Sequence, residues 1–234
     1  MTRRGWETGP RRPAERRLLR ALSRWMWRLR RVGDGPDDAV RVESFRGLSL
    51  RIPPGVFNGV RLRTGAFLAE ALEATPAAPR ERVLDLGTGS GIGALVAARR
   101  GAHVIATDVN PLATRCAELN ARANGWGGWI EVRVGDLFEP VAGARFDLVL
   151  FNPPYYHGAP RDALDQAWRS GDVFERFLDE LPAHLAPGGR ALIVLSSDGD
   201  IGVALERARL AVRALAERDL WNEVLTVYEL RTLA

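Results

Sequence analysis

A glycine-rich turn carries the first residues whose types and spacing can do chemistry. Asp85 lies two residues before Gly87, and glycines then recur at Gly89 and Gly91. The turn follows an apolar run typical of a buried strand and precedes a helical pattern. Glycines at such a junction let the backbone turn tightly and approach a ligand that a Cβ would exclude. The pattern predicts a nucleotide-binding turn.

Two more acidic residues follow at the ends of predicted strands. Asp108 closes the next strand, where a carboxylate can accept hydrogen bonds from both ribose hydroxyls. Asp136 and Leu137 close the third, where an acid and an apolar residue can flank an adenine ring. The glycines alone leave two ligands open, because residues 89–94 also fit the dinucleotide fingerprint G-x-G-x-x-A.

The motif Asn152-Pro153-Pro154-Tyr155 decides between these ligands. It follows the fourth predicted strand, at the edge where open α/β sheets bind ligands. A hydride-transfer enzyme has no evident use for this tetrapeptide. The carboxylate of Asp85 also suits a cationic methionine amino group better than a pyrophosphate. The two motifs together favour S-adenosylmethionine (AdoMet), and an NAD(P)-dependent oxidoreductase is a distant alternative.

Residues 85–91, Asp-Leu-Gly-Thr-Gly-Ser-Gly, resemble motif I of the class I AdoMet-dependent methyltransferases. Together with the Asn-Pro-Pro-Tyr motif, the resemblance extends over about residues 40–232 and points to the HemK/PrmC-like N-methyltransferases, with their methyltransferase small domain. It implies an enzyme that uses AdoMet. The implied cofactor-binding residues are Thr64, Asp85, Gly87, Thr88, Gly89, Gly91, Asp108, Val109, Asp136, Leu137 and Asn152.

The Asn-Pro-Pro-Tyr motif resembles the loop of methyltransferases that modify protein glutamine or adenine N6. The lone pair of such a planar nitrogen is delocalised, so the nitrogen is a poor nucleophile. Asn152 Oδ1 and the Pro153 carbonyl can accept hydrogen bonds from the target NH2, the prolines stiffen the loop, and Tyr155 can stack on a flat acceptor. Asn152, Pro153 and Tyr155 are therefore the predicted catalytic residues. The predicted acceptor pocket comprises Asn152, Pro154, Tyr155, Tyr156 and His157.

Residues 56–65 resemble the segment that covers the cofactor in HemK-like families and ends in a threonine, here Thr64. Those families usually show proline near Asn58 and aspartate near Arg63, and both are changed here. Only about 35 residues precede the predicted hairpin, so the large helical substrate-recruiting domain of bacterial release-factor methyltransferases is not expected here. Protein glutamine is therefore only slightly favoured over a small-molecule amide or amine as the predicted methyl acceptor. The alternative is adenine N6 or guanine N2 in RNA or DNA.

The elements around these motifs predict an α/β fold: a Rossmann-like, doubly wound, mostly parallel seven-stranded sheet with an antiparallel C-terminal strand, plus an N-terminal helix and β-hairpin. Predicted strands span 40–45, 48–52, 82–86, 103–107, 130–134, 146–151, 190–196, 209–216 and 223–231. Predicted helices span 64–74, 111–123 and 171–185, and one more ends near residue 100. A helix reaching residue 216 is a competing interpretation of the C-terminal region.

The chain is expected to divide into a basic tail and amphipathic helix (1–35), a hairpin and helix (36–75), and an AdoMet-binding domain (76–234). Residues 1–31 carry 11 arginines against two acids, net +9, whereas the remainder is net −5. Apolar residues recur at helical spacing over 14–32. Such a helix can dock on the protein body or on another subunit. It can also attract RNA phosphates, an acidic partner or a membrane surface.

Composition excludes several classes of protein. One cysteine, Cys116, rules out an internal disulfide framework and suits a reducing compartment. No run approaches the roughly 18 apolar residues of a membrane span, and no signal-peptide pattern begins the chain. Three histidines and one cysteine make a zinc site improbable, so no metal is expected. These features predict a cytoplasmic enzyme whose oligomeric state the sequence leaves open.

Overall fold

A computed structural model gives the fold and describes residues 39–78, 80–154, 171–197, 204–205, 208–220 and 223–233. A β-hairpin comes first among these residues, and the four helices and the seven strands of the main sheet follow. The strands are β1 (Arg41–Phe45), β2 (Leu48–Ile52), β3 (Arg82–Leu86), β4 (His103–Asp108), β5 (Ile130–Val134), β6 (Phe146–Phe151), β7 (Leu185–Ser196), β8 (Leu210–Asp219) and β9 (Val224–Thr232). The helices are α1 (Thr64–Ala74), α2 (Ile92–Arg99), α3 (Pro111–Ala123) and α4 (Val173–His184).

The main sheet has seven strands in the order β5-β4-β3-β6-β7-β9-β8. Strands β3 to β7 run parallel, and β9 runs antiparallel to both β7 and β8. This confirms the predicted fold class. The chain order reverses on either side of β3, which pairs with β4 on one edge and β6 on the other. Ligands of open α/β sheets bind at the carboxyl ends of strands beside such a reversal.

The C-terminal half of the sheet differs from the prediction in two places. Residues 210–219 form β8, so the competing helix there is wrong. Strand β7 begins at Leu185, where the sequence predicts a start at residue 190. Phe146 pairs with Leu185 while Leu148 pairs with Arg190, so β7 carries an irregularity at the Pro-Gly-Gly run. Gly189 fits there because a Cβ would lie 2.7 Å from the Phe146 carbonyl oxygen.

Hydrophobic side chains cover both faces of the sheet. On one face, Leu50 of the hairpin, Leu72 of α1 and Leu95 of α2 are almost fully buried in a common core. On the other, Phe177 and Leu181 of α4 pack into a second core. The hairpin and α1 therefore share a core with the sheet. The domain boundary near residue 75 was predicted from the sequence pattern and stays a prediction.

Two asparagines at the C-terminal end of α3 hold the hairpin against the sheet, and the sequence did not predict these contacts. Asn120 is buried; its Oδ1 accepts from the Arg51 backbone N–H at 2.9 Å, and its Nδ2 donates to the Ser90 carbonyl at 2.9 Å. Asn124 exchanges two hydrogen bonds with the backbone of Ser49. These bonds satisfy backbone groups of β2, which has no partner strand on that edge within the described chain.

The predicted amphipathic helix over 14–32 lies outside the described residues. None of the described helices has the length and hydropathy needed to cross a membrane. Cys116 is buried; burial raises the pKa of its thiol to about 11, so the thiol is protonated at neutral pH.

Candidate functional site

A crevice opens at the carboxyl ends of β3, β4, β5 and β6, where parallel strands bring their ends to one edge of the sheet. The segment 53–63, between the hairpin and α1, contributes to its wall. The lining residues are Gly55, Phe57, Leu86, Gly87, Gly89, Thr107, Asp108, Val109, Asn110, Ala113, Gly135, Asp136, Leu137, Phe151, Asn152, Pro154 and Val173. Seven of the predicted cofactor-binding residues are among them: Gly87, Gly89, Asp108, Val109, Asp136, Leu137 and Asn152.

The glycine turn forms the floor of the crevice below β3. Gly87, Gly89 and Gly91 all have positive φ angles, of 63°, 54° and 87°. Side chains other than glycine rarely adopt this backbone conformation. The turn leads into α2, which begins at Ile92. The predicted nucleotide-binding turn therefore has the conformation that its glycines require.

Asp85 supports this turn from beneath. Its Oδ2 accepts hydrogen bonds from the Thr88 hydroxyl at 2.6 Å and from the Ala94 N–H at 2.8 Å. Asp85 is 5% exposed, and neither it nor Thr88 or Gly91 lines the crevice. A Cβ on Gly93 would lie 2.5 Å from Asp85 Oδ1. The carboxylate thus fastens the turn to the first turn of α2, and its contact with a cofactor stays a prediction.

Burial raises the pKa of Asp85 to about 6 from an ordinary value of 3.8, against the lowering effect of the Thr88 and Ala94 hydrogen bonds. A folded-state pKa above the unfolded value means that the carboxyl contributes most to stability below pH 4. That contribution is lost as the pH rises through 6.

We expect Asp85→Asn to remove this pH dependence, because an amide oxygen can still accept both hydrogen bonds but carries no charge. Relative to wild type, the variant should gain about 2 kcal/mol in free energy of unfolding between pH 4 and pH 7, from about 1.4 kcal/mol per pKa unit. Urea denaturation of the cofactor-free protein at several pH values measures this. If the difference in free energy of unfolding between wild type and variant did not change over that pH range, the raised pKa of Asp85 would be contradicted.

Asp108 lies at the end of β4 with its carboxylate in the crevice. Its Oδ2 accepts from the Gly89 N–H and its Oδ1 from the Asn110 N–H, both at 2.9 Å. Burial raises the pKa of Asp108, and the two N–H groups partly offset this effect. Each oxygen has a second lone pair, so the carboxylate can also accept from two hydroxyl groups of a ligand.

The third strand end supplies an apolar wall and an acid. Val109, directly after β4, is 43% exposed although apolar, and it lines the crevice together with the buried Leu137. Asp136 is half-exposed and accepts a hydrogen bond from Arg176 of α4 at 2.6 Å. Arg176 was not predicted from the sequence. This end of the crevice can hold a flat ring between apolar side chains, with a carboxylate at its edge.

Asn152 lies directly after β6, at the opposite end of the crevice from Asp136 in the order of the strands. Its Nδ2 donates to the Thr64 hydroxyl at 3.2 Å, across 88 residues of sequence. Pro153 is buried and Pro154 lines the crevice. Thr64, predicted to contact a cofactor, is buried and contacts Asn152; it does not line the crevice. Tyr155, Tyr156 and His157 lie outside the described residues, so their predicted roles stay predictions.

Most of this chain matches one known protein family. The model of the methyltransferase small domain family matches residues 47–222, well over half of the 234-residue chain. The chain belongs to this family. The match begins in the β-hairpin and includes the glycine turn, the three acidic strand ends and Asn152.

Relatives of this methyltransferase small domain protein modify different acceptors, according to their names. A release factor glutamine methyltransferase from Cereibacter sphaeroides is 40% identical over 152 residues, which are 58% of this chain and 52% of that protein. A ribosomal RNA small subunit methyltransferase C from Alcanivorax borkumensis is 34% identical over 146 residues, 62% of this chain and 42% of that protein. The chain thus spans about half the length of these curated relatives.

A solved relative shows the same fold with ligands bound. The 16S rRNA methyltransferase RsmC of T. thermophilus, in complex with AdoMet and guanosine, is 25% identical to this chain. Its TM-score is 0.66, over 83% of this chain and 50% of that one. The methyltransferase small domain of the present chain therefore has structural relatives among RNA-modifying enzymes as well as sequence relatives among protein-modifying ones.

In this methyltransferase small domain protein, the cover over the glycine turn includes residues that sequence reasoning missed. The Gly55 carbonyl accepts from Asn110 Nδ2 at 3.1 Å, and Phe57 lines the crevice. Asn110 also caps α3 through a bond from the Leu112 N–H to its Oδ1. An asparagine before Pro111 is a sequence signal for the start of a helix. Nothing in the sequence indicates that Asn110 also bonds to segment 53–63.

A second, larger cavity of about 610 Å³ lies at the amino ends of the strands, beside Arg82, His103 and Trp129. It contains none of the motif residues. Its charged side chains are of both signs, and Glu118 and Glu131 there are already paired with arginines. The crevice at the carboxyl ends is smaller, but only there do the glycine turn, the carboxylates and Asn152 meet.

Proposed function

We propose that this protein is an AdoMet-dependent N-methyltransferase that acts on a planar, conjugated nitrogen. One observation carries the proposal: Asn152 and Pro154 line the same crevice as Gly87, Gly89 and Asp108. A nucleotide cofactor held by the glycine turn and Asp108 would therefore lie next to a loop suited to hold an NH2 group. Membership of the methyltransferase small domain family supports AdoMet rather than NAD(P).

The residues present fit AdoMet along the whole crevice. The backbone at Gly87 and Gly89 allows close approach of the methionine and ribose portions, and Asp108 would accept from the ribose hydroxyls. Val109 and Leu137 would flank the adenine ring, and Asp136 lies at its edge.

The acceptor side requires little more than alignment. When bound, AdoMet supplies a methyl group that is already activated by the positive sulfur. Asn152 Oδ1 and the Pro153 carbonyl would accept the acceptor's N–H bonds and turn the nitrogen lone pair toward the methyl carbon. Holding the nitrogen in this position can lower the barrier by several kcal/mol. A strong general base is unnecessary if the proton leaves after transfer.

Protein glutamine is the acceptor we favour, since the release factor glutamine methyltransferase shares 40% identity over 152 residues. A small-molecule amide or amine is the next possibility within the same proposal. Adenine N6 or guanine N2 of a nucleic acid is the alternative, supported by the RsmC complex with guanosine and by the arginine-rich residues 1–31.

A radiolabelled methyl-transfer screen tests the proposal. Purified protein and labelled AdoMet are incubated with cell extract, which is then separated into protein, RNA and small-molecule fractions. Label in the protein fraction supports the favoured acceptor, and label in RNA supports the alternative. Calorimetry with S-adenosylhomocysteine and with NAD, measured separately, tests the cofactor. Binding of NAD alone, or absence of label from all three fractions, would overturn the proposal.

A further inference from the structure

The side-chain amide of Asn152 has a hydrogen-bond partner whose position explains how this amide is held. Asn152 Nδ2 donates to Thr64 Oγ1 at 3.2 Å. Thr64 is the first residue of α1, and it is 6% exposed. Oδ1 therefore lies on the side of the amide away from this bond. The χ2 well of an asparagine side chain is broad, so a hydrogen bond to a fixed group narrows the orientation of its amide plane.

The start of α1 is itself fixed by close packing. A Cβ on Gly65 would lie 3.0 Å from the Cα of Gly59, so the two glycine backbones touch. The Ala66 N–H donates to the Gly59 carbonyl at 3.1 Å. Arg63, before Thr64, has a φ of 69°. Thr64 is thus anchored by backbone contacts on both sides.

Segment 53–63 connects this anchor to the rest of the crevice wall. Asn58 donates to Glu43 of β1 at 2.8 Å, and its Oδ1 accepts from the Arg61 N–H at 2.9 Å. The Gly55 carbonyl is bonded to Asn110, next to Asp108. The cover over the glycine turn and the support of the Asn152 amide are therefore one continuous piece of chain.

We propose that Thr64 is a positioning residue for Asn152, which sets the plane of the amide that receives the acceptor NH2. This inference rests on the proposed N-methyltransferase function. A hydroxyl can accept or donate, so Thr64 fixes the amide plane, and the N–H groups of the acceptor select the orientation that presents Oδ1. In this role Thr64, which does not line the crevice, acts through Asn152.

Three variants test this role. Thr64→Val keeps the shape of the side chain but removes the hydroxyl, Thr64→Ser restores the hydroxyl, and Thr75→Val removes a hydroxyl at the other end of α1 as a control. We expect kcat to fall about 10- to 100-fold in Thr64→Val, because catalysis depends steeply on alignment. The dissociation constant for S-adenosylhomocysteine should stay near the wild-type value. Thr64→Ser should recover most of kcat, and Thr75→Val should leave it unchanged.

A second measurement reports on the hydrogen bond without turnover. In protein labelled with 15N-asparagine and bound to S-adenosylhomocysteine, the Asn152 side-chain signals are assigned by their loss in Asn152→Asp. We expect these signals to move in Thr64→Val and to return in Thr64→Ser. Unchanged signals in Thr64→Val would overturn the positioning role, as would parallel losses of cofactor affinity and kcat. If the wild type methylated nothing, the proposed function would fail, while the NMR signals would still show whether Thr64 orients the amide.

Discussion

Asn152→Ala is expected to abolish methyl transfer while the protein still binds AdoMet. The variant loses the side-chain oxygen that accepts an N–H of the target nitrogen and leaves the glycine turn and Asp108 intact. Removing one preorganised polar group from an active site typically costs about 10²–10³-fold in kcat. Single-turnover transfer from labelled AdoMet to the accepting fraction measures the loss, and calorimetry with S-adenosylhomocysteine measures cofactor affinity.

Asn124→Ala is the matched control for this prediction. Asn124 also bonds across the chain through its amide, to the backbone of Ser49, but it lies at the C-terminal end of α3. This control should turn over at the wild-type rate, even if it is somewhat less stable. If Asn152→Ala kept its turnover, acceptance of the target N–H bonds by Asn152 would not be the basis of catalysis.

Periodicity and turn chemistry located most of the fold. The predicted bounds of β5, β6 and α3 match those of the structure. In α3, Asn110 and Pro111 mark the start and Asn124-Gly125 the end, so local signals agree with the packing. At β7 the local signal misled, because a Pro-Gly-Gly run typical of a loop is accommodated within the strand beside Phe146.

The site was predictable in outline because parallel strands place their carboxyl ends at one edge. The turn glycines, Asp108, Asp136 and Asn152 meet there for that reason alone. Their hydrogen-bond partners were not predictable: Thr64 is 88 residues from Asn152, and Arg176 is 40 residues from Asp136. Such pairs depend on how separate helices pack, and no periodic pattern in one sequence records that.

Asp85 has a structural role beside the cofactor contact that the sequence predicts for it. The sequence suggested a contact with the methionine amino group, whereas in the structure Asp85 Oδ2 ties Thr88 to Ala94. Oδ1 takes part in neither of these two bonds, so a contact between it and the methionine amino group stays a prediction. A cationic group nearby would favour the ionised form and offset part of the cost of burial. The nucleotide turn would then be most stable with its cofactor bound.

Asp108→Ala is expected to weaken AdoMet binding by at least about 100-fold. A hydrogen bond to a charged group contributes about 1.5–3 kcal/mol, and each 1.4 kcal/mol is tenfold in affinity. Asp108 would make two such bonds to the ribose. Its loss also frees the Gly89 N–H, whose bond to Asp108 holds the glycine turn at the floor of the crevice. Calorimetry with AdoMet and with S-adenosylhomocysteine measures the change.

The matched control is Asp147→Ala, because Asp147 also accepts from a backbone N–H, that of Arg82 at 2.8 Å, but near the amino end of β6. Both variants lose a carboxylate bonded to the backbone, and only Asp108 faces the crevice. Cofactor affinity should therefore fall in Asp108→Ala and not in Asp147→Ala, with thermal unfolding recorded for both. Equal affinity in wild type and Asp108→Ala would remove the ribose assignment. The cofactor would then have to bind without the β4 carboxylate, and the orientation proposed for it along the crevice would be lost.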